Sequence, residues 1–257
     1  MILYFVVLLL NGKFMKICII SSQYGCTNRS RLEYTISRVN TLKKGLIVFP
    51  GWALGSKRDL PKLESAIKKG NRVTAVIEVI IDRQRHGELF LLQNGHIQSM
   101  NSRQVFSQSR QINIDIARKL LNELREHRQF EIDGKKCLLL LCGESSIIRC
   151  HKNGKPTIAV PSMQKEFEQL FSSVDIVINP MHTPWANIYR WVIMERAKYL
   201  SKNHRAFYGT SNSLENSNSL NGLKYVFVNG KSKSLRNAEE DGDDKFNYLT
   251  FETDDIL

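Results

Sequence analysis

Paired cysteines and long apolar runs are both scarce in this 257-residue chain. Its five cysteines stand at 18, 26, 137, 142 and 150, an odd number with no CxxC spacing. That excludes a disulfide framework and a zinc site, and fits a reduced, intracellular chain whose expected location is cytoplasmic. The apolar run Met1 to Leu10 is too short to span a bilayer, which takes about 20 residues. It also lacks the basic start and small-residue cleavage site of a secretory signal. A second start is plausible at Met15, where Met15-Lys16-Ile17-Cys18-Ile19-Ile20 opens like a first strand. Residues 1–14 therefore read as an upstream apolar extension, with membrane docking as the other reading, and 15–257 as one domain. No phosphate-binding glycine loop, metal-ligand cluster or Ser-His-Asp constellation is present, so neither cofactor nor metal is expected.

The apolar fraction of 42% and charged fraction of 24% suit a globular protein with a well-buried core. The net charge of +12 suits anionic partners. Its basic residues are scattered, however, as at Lys43-Lys44, Lys57-Arg58, Lys68-Lys69, Arg83 to His86 and Lys135-Lys136. No aromatic residues are interleaved with them, which favours a solvated basic surface over a nucleic-acid face.

Periodicity and turn chemistry predict the elements. Strands are expected over Lys16–Ser21, Gly45–Phe49, Val73–Ile81, Gly87–Gln93, from Ile97, over Phe130–Ile132, Lys136–Leu141, Val174–Ile178, Arg205–Thr210, Lys224–Val228 and Phe246–Phe251. Asn94-Gly95 and Asp133-Gly134 read as hairpin turns. Helices are expected from a Thr27 cap to about Leu42, from Asp59 to near Gly70, over Gln111–His127, Met163–Phe171 and Ala186–Leu200. The third is the clearest, with Ile112, Ile116, Leu120 and Leu124 on one stripe. Ser211–Asn221 reads as a loop and Asn237–Asp244 as an acidic, mobile segment. Strands alternating with helices but including tight hairpins argue for an α/β fold with a mixed sheet.

The residue that points most directly at a chemistry is Cys142, at the end of Lys135-Lys136-Cys137-Leu138-Leu139-Leu140-Leu141-Cys142-Gly143-Glu144. The leucine run reads as a strand buried on both faces, delivering the thiol to a sheet edge beside a glycine and a carboxylate. The competing reading is an inert buried cysteine.

The order of segments resembles the nitrilase, or carbon–nitrogen hydrolase, superfamily. Lys16–Ser21 looks like its opening strand, and Leu46-Ile47-Val48-Phe49-Pro50 like the strand ending Pro-Glu. Gly134–Glu144 is similar to the nucleophile strand, Asp175-Ile176-Val177-Ile178-Asn179-Pro180 to the Asp-aliphatic-Asn-Pro strand, and Glu195-Arg196-Ala197 to the following Arg-Ala helix. Asn229-Gly230 resembles the late strand-turn-strand. The resemblance implies a four-layer αββα sandwich, often dimerising through the helices that flank the sheets. It also implies hydrolysis of a non-peptide amide or nitrile by a Glu-Lys-Cys triad, through a thioacyl enzyme.

Two triad positions depart from the pattern. Gly51 stands where the glutamate is expected, followed by Trp52. The stretch Met100 to Gln108 carries no lysine, and Arg103 or Gln104 lies nearest its place. A free thiol, with a pKa of about 8.5, is a weak nucleophile without a base and a cation. Arg103 is a candidate cation for the oxyanion but not a proton donor. Glu144 matches a supporting acid of the family and is a candidate catalytic group beside Cys142, with Gly143 between them. Glu78, inside the apolar run Val73 to Ile81, reads first as an edge residue reaching solvent or an arginine, and second as a buried functional carboxylate. His182 is a candidate ligand or general acid, or a loop hydrogen-bonder. Trp52 and Trp185 are candidate pocket walls, or packing residues. The leading expectation is a cysteine-dependent hydrolase with a rearranged triad. The alternatives are a degenerate binding or regulatory subunit on the same fold and, behind it, a basic nucleic-acid accessory protein.

Overall fold

In this computed structural model the structure describes residues 15–81, 87–152, 154–182, 190–213, 223–235 and 238–253. One sheet comprises β1 (Lys16–Gln23), β2 (Lys44–Val48), β3 (Arg72–Ile80), β4 (Gly87–Gln93), β5 (His96–Ser99), β14 (Glu239–Gly242) and β15 (Phe246–Glu252). The other comprises β6 (Gln129–Ile132), β7 (Lys135–Leu139), β10 (Ile176–Met181), β11 (Ala206–Ser213), β12 (Lys224–Val228) and β13 (Lys231–Ser232). Among the described residues, their strands pair with each other only where β1 meets β11, through Ser22↔Asn212 and Gln23↔Ser213. The order across that junction is β5-β4-β3-β2-β1-β11-β10-β7-β6. A separate hairpin is formed by β8 (Ile148–His151) and β9 (Gly154–Ile158).

Side-chain alternation along the strands separates three cores. Ile17, Ile19, Leu46, Val48, Leu89 and Leu91 of the first sheet pack against Leu139, Ile176, Ile178 and Tyr208 of the second. The intervening residues turn outward. Cys18, Ile47, Ala75 and Leu92 meet α1 (Asn28–Leu42) and α2 (Leu60–Ala66). Leu138, Val177 and Phe207 meet α3 (Ile114–Glu126), α4 (Gln164–Ser172) and α5 (Arg190–Leu200). Strands that are apolar on both faces must be covered on both, and helix–sheet–sheet–helix layering does this. The expected αββα sandwich with mixed sheets is thus observed.

The caps act where the sequence places them. The Thr27 hydroxyl accepts from the Ser30 amide, and the Asn113 side chain accepts from the Ile116 amide. Asn94 and Gly95 both have positive φ, as a tight hairpin turn requires.

Several expectations are corrected. The strand expected over Val174–Ile178 is shifted to Ile176–Met181 and runs through Pro180, because β7 pairs only as far as Ile178 and leaves that side of Pro180 without a demand for an amide donor. The leucine strand ends at Leu139, although the Leu140 amide still donates to Ile178 O. The acidic segment contains an exposed strand, β14, paired with β15. Ser211–Ser213, read as loop, completes β11. The α2 helix stops at Ala66, short of Gly70. Residues 1–14, the first turn of the helix expected from Ala186, Arg83 to His86 and the core of the Ser/Asn-rich stretch lie outside the described residues. Among the described residues no helix is long and apolar enough to cross a membrane.

Candidate active site at one end of the sandwich

Cys142 opens a 3-10 turn, Cys142–Ile147, immediately beyond the leucine strand, and its thiol is partly exposed. The turn is held from beneath by Glu144. This carboxylate is fully buried and takes hydrogen bonds from the Leu141 amide (3.0 Å) and the Val105 amide (2.6 Å). It also pairs with the fully buried Arg128, whose Nη1 bonds Oε2 and whose Nη2 lies 3.1 Å from Oε1. Arg128 further donates to Ser102 Oγ and to the Arg103 carbonyl. With every oxygen engaged, Glu144 positions the turn. Gly143 packs so closely on the Ser107 carbonyl that a β-carbon there would overlap it.

Above the thiol lies an imidazole. His182 follows β10, and its backbone is tied down by Asn212, whose side-chain amide donates to the His182 carbonyl and the Gly51 carbonyl, both at 2.8 Å. Its ring stacks on Trp52, centroids 4.3 Å apart. Its Nε2 lies 2.6 Å from Glu78 Oε2, and the Cys142 side chain lies close enough to favour its protonated form. Burial pulls this imidazole toward its neutral form. The Glu78 carboxylate hydrogen-bonded to the ring, together with the nearby Cys142 side chain, outweighs burial and lifts its pKa to about 10. Glu78 thus holds the imidazole, and the imidazole stands beside Cys142.

Glu78 does not reach solvent. It is 2% exposed, on the inward side of β3, an interior strand flanked by β2 and β4. Its Oε2 accepts from both His182 and the Trp52 amide (3.1 Å), while Oε1 has no partner among the described residues. The loop after Pro50 is pinned over it, because Leu54 bridges Val79 and exchanges hydrogen bonds with Glu78 O and the Ile80 amide. The edge-residue, arginine-paired reading of Glu78 is therefore overturned: its partner is a histidine from the other sheet.

Gly51 explains how the ring fits. A β-carbon at 51 would overlap His182 Cδ2 and Nε2. The position where a glutamate was expected is bare, and the imidazole occupies the space. Trp52, with φ of 58°, walls the ring and is held by Arg31, which donates to its carbonyl at 2.7 Å. Arg103 is exposed, with only its carbonyl engaged by Arg128, and Trp185 lies outside the described residues. Among the described residues no cluster of His, Cys, Asp and Glu is arranged to hold a metal.

Sequence reasoning singled out Cys142, His182 and Glu78 separately but not their connection. It missed Asn212 and Arg128 entirely. Asn212 lay in a stretch read as loop, and nothing local distinguishes Arg128 from the other basic residues.

No protein-family model matches this sequence, and no curated protein does either. Solved structures do. A glutamine-dependent NAD(+) synthetase from Cytophaga hutchinsonii superposes with a TM-score of 0.57 at 10% identity, over 93% of this chain and 43% of its own. The chain spans under half the length of that enzyme. A CN-hydrolase superfamily protein from Xanthomonas campestris, with an arsenic adduct in its active site, superposes at 0.52 and 12% identity over 94% and 91%. A variant of the amidase from Nesterenkonia sp. AN1, with the acetamide moiety of fluoroacetamide on its active-site cysteine, superposes at 0.53 and 12% identity over 94% and 90%. The fold is that of the carbon–nitrogen hydrolase superfamily.

Proposed function

We propose that this protein is a cysteine-dependent hydrolase of small non-peptide amides or nitriles that runs on a Cys142–His182–Glu78 triad. The observation that carries the reading is an imidazole paired with a buried carboxylate and set beside the thiol, in a fold whose expected glutamate and lysine are both missing. His182 stands in for both. With its pKa lifted to about 10 it is cationic at neutral pH, and supplies positive charge beside the reacting centre. Glu78 orients the ring and stabilises its charge, in the manner of the third member of a nucleophile–base–acid set.

The chemistry then follows in two halves. At neutral pH His182 is already an imidazolium, so the Cys142 proton leaves to solvent and the sulfur attacks the carbonyl carbon beside that positive charge. The imidazolium gives its own proton to the departing nitrogen as the C–N bond breaks, leaving a thioacyl enzyme. The ring, now neutral, takes a proton from water. The hydroxide attacks the thioester and the acid leaves; the ring stays protonated and the sulfur regains its proton from solvent. With Nε2 committed to Glu78, Nδ1 is the ring nitrogen left to serve these transfers.

The first test is thiol reactivity. Burial raises the other four thiols, Cys137 up to about 12. At pH 7 iodoacetamide should modify Cys142 well ahead of Cys18, Cys26, Cys137 and Cys150, with His182→Gln abolishing the advantage. Uniform modification rates, or an advantage that survives His182→Gln, would leave a binding protein on a hydrolase fold as the better description. The second test is ammonia release from a panel of small amides and nitriles, with Cys142→Ala as the blank.

A further inference from the structure

Beside the Cys142–Ile147 turn, which contributes Ser146 to its wall, is a cavity of about 560 Å³, lined also by Arg110, Arg149, Arg196, Ser107 and Cys150. None of Cys142, His182 and Glu78 lines it. Its volume is that of a small-molecule site. Val192 and Ile193 of α5 supply an apolar floor. Three guanidinium groups therefore face a space to which no Asp or Glu contributes. Among the described residues no carboxylate pairs with any of the three.

Arg196 is the most constrained of them. It is partly buried, and burial lowers its guanidinium below the usual range. Its Nε donates to the Ile148 carbonyl at 3.1 Å and its Nη1 to Ser145 Oγ at 3.4 Å. The Cys150 and Cys142 side chains also favour its charged form, but no carboxylate among the described residues pairs with it, an arrangement that favours an incoming anion. Arg110 and Arg149 are exposed and stand at the mouth.

We propose that this cavity binds a small molecule bearing an oxyanion, a carboxylate or phosphate group seated among Arg110, Arg149 and Arg196. Planar guanidinium forks match such groups bidentately, and the serine hydroxyls add neutral donors. The ligand's apolar part rests on Val192 and Ile193. This site stands whether or not Cys142 is a catalyst, since it shares no residue with the triad. The two are nonetheless neighbours: Arg196 reaches Ser145, whose hydroxyl donates to the Cys142 carbonyl at 3.0 Å.

Calorimetric titration of the full chain with inorganic phosphate, and separately with succinate, at fixed ionic strength tests the assignment. Saturable binding of at least one probe is expected, weakened tenfold or more in Arg110→Gln/Arg149→Gln. Both positions are exposed, so the variant should fold. The tighter probe identifies the headgroup as phosphoryl or dicarboxylate. The bound probe should also slow alkylation of Cys150, which lines the cavity, without slowing that of Cys26, which does not. No saturable binding of either probe, equal affinity in the double variant, or unprotected Cys150 at saturation would overturn it.

Discussion

An imidazole fits at 182 only because residue 51 has no side chain. Gly51→Ala forces the ring off its seat between Trp52 and Glu78. The expected outcome is loss of the Cys142 alkylation advantage at pH 7 while the fold persists, read by peptide-mapped iodoacetamide kinetics beside circular dichroism. If His182 is the base, His182→Gln lowers any amidase turnover by roughly 10²–10⁴-fold, the usual contribution of general acid–base catalysis. Glu78→Gln keeps the shape but removes the charge that holds the ring protonated. Its alkylation rate at pH 7 should fall between those of the wild type and His182→Gln. Gly87 adds a constraint on the same side chain, because a β-carbon there would strike Glu78 Oε1. Of these residues the sequence announces Cys142 most clearly, by the leucine run. Glu78 is visible as an odd charge in an apolar strand. Its partner is invisible, since His182 lies 104 positions away and on the other sheet.

At the scale of elements, the turn that presents the thiol rests on one buried ion pair. Arg128→Met leaves the Glu144 carboxylate buried and unpaired, and should cost about 3–5 kcal/mol of stability. Replacing both, as Arg128→Met with Glu144→Leu, should recover much of that loss. Denaturant unfolding of the two variants checks the ordering; a double variant less stable than the single one would contradict it. Element boundaries follow local signals closely where a cap or hairpin turn exists, as at Thr27, Asn113 and Asn94-Gly95. They fail where pairing alone decides. Nothing apolar in Glu239-Glu240-Asp241-Gly242 marks a strand, yet β15 recruits it as a fully exposed edge. The β8–β9 hairpin, too, carries no alternating pattern strong enough to register beforehand.

For the whole molecule, the Glu78–His182 pair ties one sheet to the other and makes the sandwich pH-sensitive. The folded-state pKa of His182 lies above the ordinary value of 6.5, at about 10. Its contribution is therefore complete below about pH 6.5 and is lost as pH rises through about 10. The melting-temperature gap between wild type and His182→Gln should be widest near pH 6 and narrow toward pH 10. A gap that widens with pH would contradict the pairing. The layering was legible from strand runs apolar on both faces, together with the one strongly striped helix, now α3. The site's assembly was not, because it arises where an inward-facing position of β3 meets the residue just beyond β10, from distant parts of the chain.

The bare position at 51 also constrains history and design. A side chain there and an imidazole at 182 compete for one volume, so the two substitutions are epistatic. If an ancestor carried a glutamate at 51, that residue had to shrink before or together with the arrival of histidine. In the reverse direction, restoring an acid at 51 in the present background would add no second base; it would evict the one already there.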